Sequence, residues 1–283
     1  MPLVGFICPD GKTVDIDKEL SACVKCRLGD RCHSLTYLAS AAQDRVWSGK
    51  PSTTMLLPEN GLRYEYLKIK YPYYIKPEDR AFAILGSWSH YKLDLWAKKF
   101  GLTSEFLFKN QDISGILDRL EPSPIDDTFW LYDNKTFGSF AIERAENGEK
   151  ENLIYQLNNY RIKAESSSEL SILLKSNIKI SRMIAEVIVR DGGIAKWDFH
   201  KKESYYPPRT AKIEVPFMDD SEINDYFTNR GNELLNYVEN DILPPMCNAK
   251  ESWSNKRCKK FCELWQWCPE GKKLNINKVE VKS

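Results

Sequence analysis

The distribution of the eight cysteines constrains this chain more than any other sequence feature. They form two groups of four near the two ends and leave 214 residues between Cys32 and Cys247 without any cysteine. In a chain that lacks a secretory signal pattern, such tight grouping favours metal ligation over disulfide bonds. The sequence therefore predicts three segments: an amino-terminal metal module at 1–35, a core at 36–246, and a cysteine cluster with a basic tail at 247–283.

Each cysteine group contains enough thiolates for a metal site of its own. The first group has the spacing Cys8-x14-Cys23-x2-Cys26-x5-Cys32, and the second has Cys247-x10-Cys258-x3-Cys262-x5-Cys268. Four thiolates satisfy either a tetrahedral Zn²⁺ or a [4Fe-4S] cluster, so spacing alone does not choose the metal. Free buried thiols are the structural alternative at both ends.

Composition and charge limit the function classes. The chain has 283 residues, of which 42% are hydrophobic and 29% are charged, and this composition is typical of a folded core. A net charge of +1 argues against a nonspecific nucleic-acid coat, and no apolar run reaches the roughly 18 residues of a membrane span. We expect no membrane partner and a cytoplasmic location, or an intracellular one in a host cell if the protein is phage-encoded.

The pattern along the chain predicts an α/β protein with a mixed central sheet flanked by helices. The first 35 residues are predicted to be loop-rich. Helices are predicted at 35–47, 77–100, 149–164 and 221–242, and strands at 105–108, 114–120, 129–132, 183–189 and 212–216. The segment 121–127, with two prolines and two aspartates, is predicted to connect two strands as a hairpin.

Two carboxylates and a lysine are expected to meet on neighbouring strands. Asp133 and Lys135 are two residues apart, so on a strand their side chains share one face, and Asp118 on the preceding strand reaches the same space. Carboxylates grouped in this way suit a hard cation such as Mg²⁺ or Mn²⁺, which assists phosphodiester hydrolysis. Gln156 and Tyr160, one helical turn apart, are predicted to face this site.

Taken in order, these motifs resemble the PD-(D/E)xK nucleases of the RecB type. That family includes the nuclease domains of RecB and AddB helicase-nucleases and the CRISPR-associated spacer-processing exonucleases. Its members have a helical histidine, a Gly-x-x-Asp strand, an (Asp/Glu)-x-Lys-Thr strand and a Gln-x-x-x-Tyr helix. The matching residues here are His90, Gly115 to Asp118, Asp133 to Thr136, and Gln156 to Tyr160. The match is close over about residues 80–165 and looser to residue 268.

The resemblance implies a restriction-endonuclease-like fold and a role for each matching residue. His90, Asp118 and Asp133 would hold the catalytic metal, and Lys135 would serve the attacking water. Gln156 and Tyr160 would support the site. Glu105, on the strand before Asp118, is a further candidate ligand because related nucleases often have an acidic residue there.

The resemblance also implies an arrangement for the cysteines. AddB-like nucleases bind a [4Fe-4S] cluster through one amino-terminal and three carboxyl-terminal cysteines, which here would join Cys32 to Cys258, Cys262 and Cys268. This chain departs from that pattern, since each end has a fourth cysteine and Cys258-x3-Cys262 replaces the usual x2 spacing. We therefore expect Zn²⁺ at the first group and leave the second open between Zn²⁺ and [4Fe-4S].

The predicted function is a Mg²⁺- or Mn²⁺-dependent DNA nuclease, with exonuclease action expected, in recombination, repair, phage replication or defence. From residue 249 onward nine basic residues face four acidic ones, with Trp253, Trp265 and Trp267 between them. This composition suits single-stranded or duplex DNA ends, although tryptophans packed on a metal site explain it equally well. A helicase, recombinase or other subunit is a possible partner. The alternatives are a non-catalytic nucleic-acid-binding or scaffolding subunit and a structure-specific or RNA-directed endonuclease.

Overall fold

The computed structural model describes residues 3–44, 46–108, 112–198 and 202–275. Its strands, in chain order, are β1 Leu3–Ile7, β2 Thr13–Asp15, β3 Tyr73–Ile75, β4 Thr103–Leu107, β5 Ile116–Pro122, β6 Phe129–Phe137, β7 Ile180–Val189, β8 Lys196–Asp198, β9 Glu203–Tyr205 and β10 Thr210–Glu214. Its helices are α1 Ser21–Val24, α2 Leu35–Ala41, α3 Leu62–Lys70, α4 Ala81–Lys99, α5 Ser139–Glu146, α6 Glu151–Glu165, α7 Ser168–Leu174, α8 Asp220–Glu239, α9 Lys256–Lys260 and α10 Pro269–Leu274. The protein is thus mixed α/β.

The chain forms two compact units. Unit 1 comprises residues 1–51, 59–84 and 230–283, and unit 2 comprises residues 52–58 and 85–229. These boundaries differ from the three segments expected from the sequence, because both cysteine groups belong to unit 1.

Unit 1 is built on a small three-stranded sheet in the order β2-β1-β3, with β1 antiparallel to β2 and parallel to β3. Phe6, Leu38, Tyr66 and Tyr73 are among its fully buried side chains. Before Leu35, the described residues outside β1, β2 and α1 form turns and irregular segments, so the expected loop-rich character is confirmed and two short strands are added to it. The apolar residues of β1 pair with β2 and β3, and these pairings consume the backbone hydrogen bonds that a loop would leave open.

Unit 2 contains a five-stranded mixed sheet in the order β10-β7-β6-β5-β4. Strands β4, β5 and β6 are antiparallel neighbours, β6 and β7 are parallel, and β7 and β10 are antiparallel. The five strands predicted from the sequence are confirmed with shifted ends. The largest shift is in β6, which runs on to Phe137, so Asp133 and Lys135 lie inside a strand.

The helices of unit 2 follow from the parallel pairing of β6 and β7, which requires a crossover connection. That connection contains α5, α6 and α7, and α6 packs against β6 and β7. The predicted helix at 149–164 corresponds to α6, whereas α5, α7 and the β8-β9 hairpin were not predicted. In unit 1, the helix predicted at 35–47 is shorter than expected, since α2 ends at Ala41. The main apolar core of unit 2 lies between its sheet and its helices, where Leu131, Leu157 and Met183 are fully buried.

The predicted hairpin between β5 and β6 is confirmed. Asp126 accepts hydrogen bonds from the backbone and side chain of Thr128 within that turn, and Asp127 is exposed. These two carboxylates are therefore turn residues rather than members of a site. Among the described residues, no helix combines the length and apolar character needed to cross a bilayer.

Candidate active site

Two carboxylates of unit 2 face each other across neighbouring strands. In the register of β4 and β5, Ser104 pairs with Arg119 and Phe106 pairs with Leu117, which places Glu105 opposite Asp118. Glu105 has a φ of 49°, in the left-handed region that a glutamate rarely adopts. Such backbone strain is typical of functional sites, where it turns a side chain in a direction that regular strand geometry would not give.

Helix α4 brings His90 to this pair of carboxylates. His90 Nδ1 lies 3.5 Å from Asp118 Oδ2 and 3.7 Å from Glu105 Oε1. One turn later, Asp94 accepts a hydrogen bond of 2.6 Å from Ser104 Oγ, which ties α4 to β4 beside Glu105. One turn earlier, a Cβ added to Gly86 would lie 3.5 Å from Thr136 Oγ1. The spacing of Gly86, His90 and Asp94 therefore gives α4 one face that follows the sheet.

His90, Glu105 and Asp118 form a compact group of metal-ligand types. Their ligand atoms all lie within 4.8 Å of one another, and no other group of three His, Cys, Asp or Glu residues in the described ranges meets this criterion. Contact with the Glu105 carboxylate raises the pKa of His90, and the charge of Asp118 acts in the same direction. Oxygen and imidazole ligands suit Mg²⁺ or Mn²⁺.

Asp133 and Lys135 form an ion pair beside this group. Lys135 Nζ lies 2.5 Å from Asp133 Oδ2, and the Asp133 side chain is 2% exposed. The angles of this contact are not those of a hydrogen bond. Among the described residues, none donates a hydrogen bond to the buried Oδ2. The other oxygen, Oδ1, accepts a long contact of 3.4 Å from Gln156 Nε2. The predicted common face of Asp133 and Lys135 is present.

The backbone of β6 also holds Asp118. The backbone N–H of Asn134 donates a hydrogen bond of 2.7 Å to Asp118 Oδ2. Burial raises the pKa of Asp118 to about 7, and the charge of Asp133 adds to the rise. Sequence reasoning missed this contact, because a backbone amide has no side-chain signature. The buried acids therefore repel each other in the ion-free protein.

Helix α6 positions Gln156 and Tyr160 against the sheet. A Cβ added to Gly115 would lie 2.8 Å from Tyr160 Cε1, so the tyrosine ring packs where only glycine leaves room. Gln156 Nε2 lies 3.5 Å from Tyr160 Oη, and both side chains are buried. The Gly-x-x-Asp and Gln-x-x-x-Tyr motifs are thus joined by direct packing.

Further polar contacts fix α6 in place. Asn158 Nδ2 donates to the Pro216 carbonyl, and its Oδ1 accepts from the Met218 backbone. Thr53 Oγ1 donates a hydrogen bond of 2.9 Å to Asn159 Oδ1, and both side chains are buried. Asn158 is hydrogen-bonded at both its amide nitrogen and its oxygen, and Asn159 at its oxygen; these contacts hold α6 in one register, which keeps Gln156 directed at Asp133.

All seven candidate residues outside the cysteines lie in unit 2, and the structure brings them together. These are His90, Glu105, Asp118, Asp133, Lys135, Gln156 and Tyr160. The ligand group differs in one respect from the expectation. Glu105, expected only as a further ligand, is in the compact group with His90 and Asp118, whereas Asp133 lies beside it and pairs with Lys135.

The first cysteine group lies in unit 1 around one cavity. Cys8, Cys23, Cys26 and Cys32 all line a cavity of about 170 Å³. Burial raises the pKa of Cys23, and the charges of Cys32, Cys8 and Cys26 add to the rise, so the four thiols are near neighbours. Cys32 is thus grouped with its local partners.

The second cysteine group also lies in unit 1. Arg63 Nη1 is 3.8 Å from Cys268 Sγ, and a Cβ added to Gly61 would lie 2.6 Å from Cys247 Sγ. Burial raises the pKa of Cys247 to about 11 and that of Cys262 to about 12. All eight cysteines are in the described ranges and none forms a disulfide bond. The metal at this group stays a prediction.

The basic and aromatic side chains near the carboxyl terminus include exposed ones and ones that pack inside unit 1. Lys256, Lys259 and Lys260 are exposed. Arg257 lies over the ring of Tyr64, and Trp267 donates to the Pro72 carbonyl, so these two side chains are used inside unit 1. Lys278 and Lys282 lie outside the described residues.

Comparisons of the chain with protein-family models, with curated proteins and with solved structures found no match.

Proposed function

We propose that the protein is a divalent-metal-dependent DNA nuclease that hydrolyses phosphodiester bonds, with exonuclease action expected. One observation carries the proposal: the compact His90, Glu105 and Asp118 group lies beside the buried Asp133 and Lys135 ion pair. Three acids, an imidazole and an ammonium in one place are the parts that metal-assisted phosphoryl hydrolysis requires.

The residues fit Mg²⁺ or Mn²⁺ at this position. His90, Glu105 and Asp118 would hold the ion, and the buried Oδ2 of Asp133, which is ion-paired with Lys135, lies beside them. Burying neighbouring carboxylates without a cation is unfavourable, as the raised pKa of Asp118 indicates. When bound, the ion supplies charge neutralisation at the phosphate and a lower pKa for water.

The protein's own residues would complete the reaction. Lys135, held by Asp133, is placed to donate hydrogen bonds to the attacking water or to a phosphate oxygen and so to stabilise negative charge in the transition state. Gln156 would keep Asp133 oriented through its contact with Oδ1. Water adds to phosphorus, and the bond between phosphorus and the leaving sugar oxygen breaks.

Membership of the RecB-type PD-(D/E)xK family and a restriction-endonuclease-like fold form part of this proposal. The order of strands carrying Asp118 and Asp133, the helix carrying His90 and the helix carrying Gln156 support both. A cytoplasmic or host-intracellular location agrees with eight free thiols. DNA is the proposed substrate, and a helicase or recombinase is a candidate partner.

The competing proposal is a non-catalytic nucleic-acid-binding or scaffolding subunit that keeps the fold. The exposed lysines of α9 favour it, since they suit a phosphate backbone without any catalytic role. Against it, a disused site has no physical reason to keep Asp118 and Asp133 buried together.

A cleavage assay separates these proposals. End-labelled single-stranded and duplex DNA is incubated with wild-type protein in Mn²⁺, in Mg²⁺ or in chelator, together with the Lys135→Ala variant. The exposed Lys179 serves as the matched control through Lys179→Ala. We expect cleavage only with metal, lost in Lys135→Ala and kept in Lys179→Ala. DNA binding without metal-dependent cleavage would favour the scaffold instead.

A further inference from the structure

Two of the four amino-terminal cysteines, Cys8 and Cys26, open similar turns. The carbonyl of Cys8 accepts a hydrogen bond of 2.8 Å from the N–H of Gly11, and the carbonyl of Cys26 accepts one of 3.1 Å from the N–H of Gly29. Gly11 has a φ of 80° and Gly29 has a φ of 78°, a conformation that favours glycine. Each turn therefore presents a cysteine at its first position and reverses the chain just after it.

An ion pair clamps the two turns to each other. Arg27, next to Cys26, donates two hydrogen bonds of 2.6 Å to the two carboxylate oxygens of Asp10 in the Cys8 turn. This two-point contact is the strong geometry for arginine and a carboxylate. It holds cysteines that are 18 positions apart in sequence on the same side of unit 1.

The thiols converge on a cavity with an apolar wall and a basic rim. Cys8, Cys23, Cys26 and Cys32 line this cavity of about 170 Å³, and Phe6, Val14 and Leu38 line it as well. Lys25, Arg27 and Arg31 also line it. Four thiolates around one divalent ion carry a net charge of −2, which neighbouring cations stabilise.

We propose that Cys8, Cys23, Cys26 and Cys32 hold one structural Zn²⁺ in unit 1, independent of the carboxyl-terminal cysteines. Zinc takes four thiolates in tetrahedral geometry and needs no open position when its role is structural. The sheet beneath this site has strands of only three to five residues, and such small elements commonly depend on a metal or disulfide for stability. This inference does not depend on the nuclease proposal.

Closing the site requires the thiols to move towards one another. No three of these sulfur atoms lie within 4.8 Å of one another, whereas sulfurs around zinc lie roughly 3.8 Å apart, given a Zn–S distance of about 2.3 Å. The cavity gives the side chains room to rotate inward. Cys8 and Cys26 open turns, Cys23 lies on the short helix α1, and Cys32 lies outside the helices and strands.

Metal analysis of purified full-length protein tests this proposal. Zinc and iron per chain are measured for wild type, Cys8→Ser, Cys32→Ser and the double variant. Because one ion is shared, each single variant should lose one zinc equivalent and the double variant should lose the same single equivalent. Cys262→Ser is the control from the other group and should keep this equivalent. Unchanged zinc in the single variants, or a loss of iron instead of zinc, would overturn the proposal.

A second measurement covers the case in which a variant fails to fold. In wild-type protein, alkylation of the thiols is followed by peptide mass spectrometry before and after addition of a zinc chelator. The four proposed ligands should be protected together and become reactive together on chelation. Independent alkylation of Cys8 or Cys32 in the zinc-loaded protein would show that they are free thiols and would contradict the shared site.

Discussion

The candidate active site of unit 2 and the cysteine cavity of unit 1 are assembled in opposite ways. In unit 2, strand register and helix packing bring His90, Glu105 and Asp118 within 4.8 Å of one another. In unit 1, short local segments bring four cysteines to one cavity, but no three of their sulfur atoms lie within 4.8 Å of one another. If both proposed metal sites exist, long-range strand pairing would hold the neighbouring acids together before an ion binds, whereas the amino-terminal cysteines would need the ion to complete their site.

The largest expected effect is on chemistry in unit 2. Asp118→Ala and Lys135→Ala should each reduce metal-dependent DNA cleavage by about a hundredfold to a thousandfold, the usual loss for one group that stabilises the transition state. Asp118→Ala should also weaken Mn²⁺ binding, and Lys135→Ala should not. Cleavage kinetics and Mn²⁺ titration measure the two effects separately. Asp127→Asn, in the β5-β6 turn, is the control for a carboxylate outside the site.

Removal of thiolate-bound metal should affect unit 1 selectively. Structural zinc contributes about 10 kcal/mol to the folding of small zinc-binding peptides, so a strong chelator should remove much of the protection of β1 and β2. Unit 2 should keep its protection, because its sheet does not use the thiolates. Hydrogen exchange followed by mass spectrometry reports both regions in one experiment. Equal loss of protection in both regions would contradict the prediction that only unit 1 depends on thiolate-bound metal.

Core packing should matter for the preassembled site. Leu157 is fully buried next to Gln156 on α6, and Leu157→Ala should destabilise unit 2 by about 2 to 5 kcal/mol. Denaturant unfolding measures this loss. The matched substitution Leu38→Ala in unit 1, also fully buried, should leave the stability of β6 and β7 measured by hydrogen exchange unchanged. A loss of protection in β6 and β7 in Leu38→Ala would mean that the core of unit 2 depends on unit 1.

The acids of unit 2 should make the metal-free protein less stable as pH rises. Asp118 has a pKa of about 7 in the folded protein and 3.8 when unperturbed, so the folded state binds more protons between these values. Stability should therefore fall as pH rises from about 4 to about 7. Asp118→Asn should match wild type near pH 4 and exceed it near pH 8 by up to about 4 kcal/mol, since one pKa unit corresponds to about 1.4 kcal/mol.

Thermal unfolding in chelator across this pH range measures the effect. Asp126→Asn, in the β5-β6 turn, controls for a general change in charge. A wild-type protein whose advantage over Asp118→Asn grows with pH would contradict the assignment of Asp118 as an acid whose pKa is raised by burial.

The smallest expected effect is at Gln156. Gln156→Ala should reduce cleavage by about tenfold, equivalent to about 1.4 kcal/mol, because it removes one long contact with Asp133 Oδ1 and leaves the charged residues in place. Tyr160→Phe should have less effect, since the ring that packs on Gly115 is kept. A loss in Gln156→Ala as large as that in Lys135→Ala would give Gln156 a direct role.

The sequence predicted the sheet of unit 2 well because turn-forming residues such as Pro124 and Asp126 separate its largely apolar strands. It also predicted that Asp133 and Lys135 share a face, which follows directly from strand geometry. It did not predict α5, which begins only two residues after β6 ends. An amphipathic helix of eight residues gives too little periodicity to separate it from its neighbours.

Other parts of the site depend on contacts that no local pattern encodes. The left-handed backbone of Glu105 and the hydrogen bond from Asn134 N–H to Asp118 arise from tertiary packing. The presence of both cysteine groups in unit 1 depends on contacts between residues more than 200 positions apart. Local periodicity carries no information on such contacts, so three segments were expected, whereas the structure has two units.

The central claim is that His90, Glu105 and Asp118 form the metal centre of a nuclease. The most direct test is the anomalous scattering of Mn²⁺ in crystals soaked at the concentration that supports DNA cleavage. The account predicts a manganese peak in contact with these three side chains, absent in Asp118→Ala crystals. Manganese bound elsewhere, with none at this group under conditions that support cleavage, would contradict it.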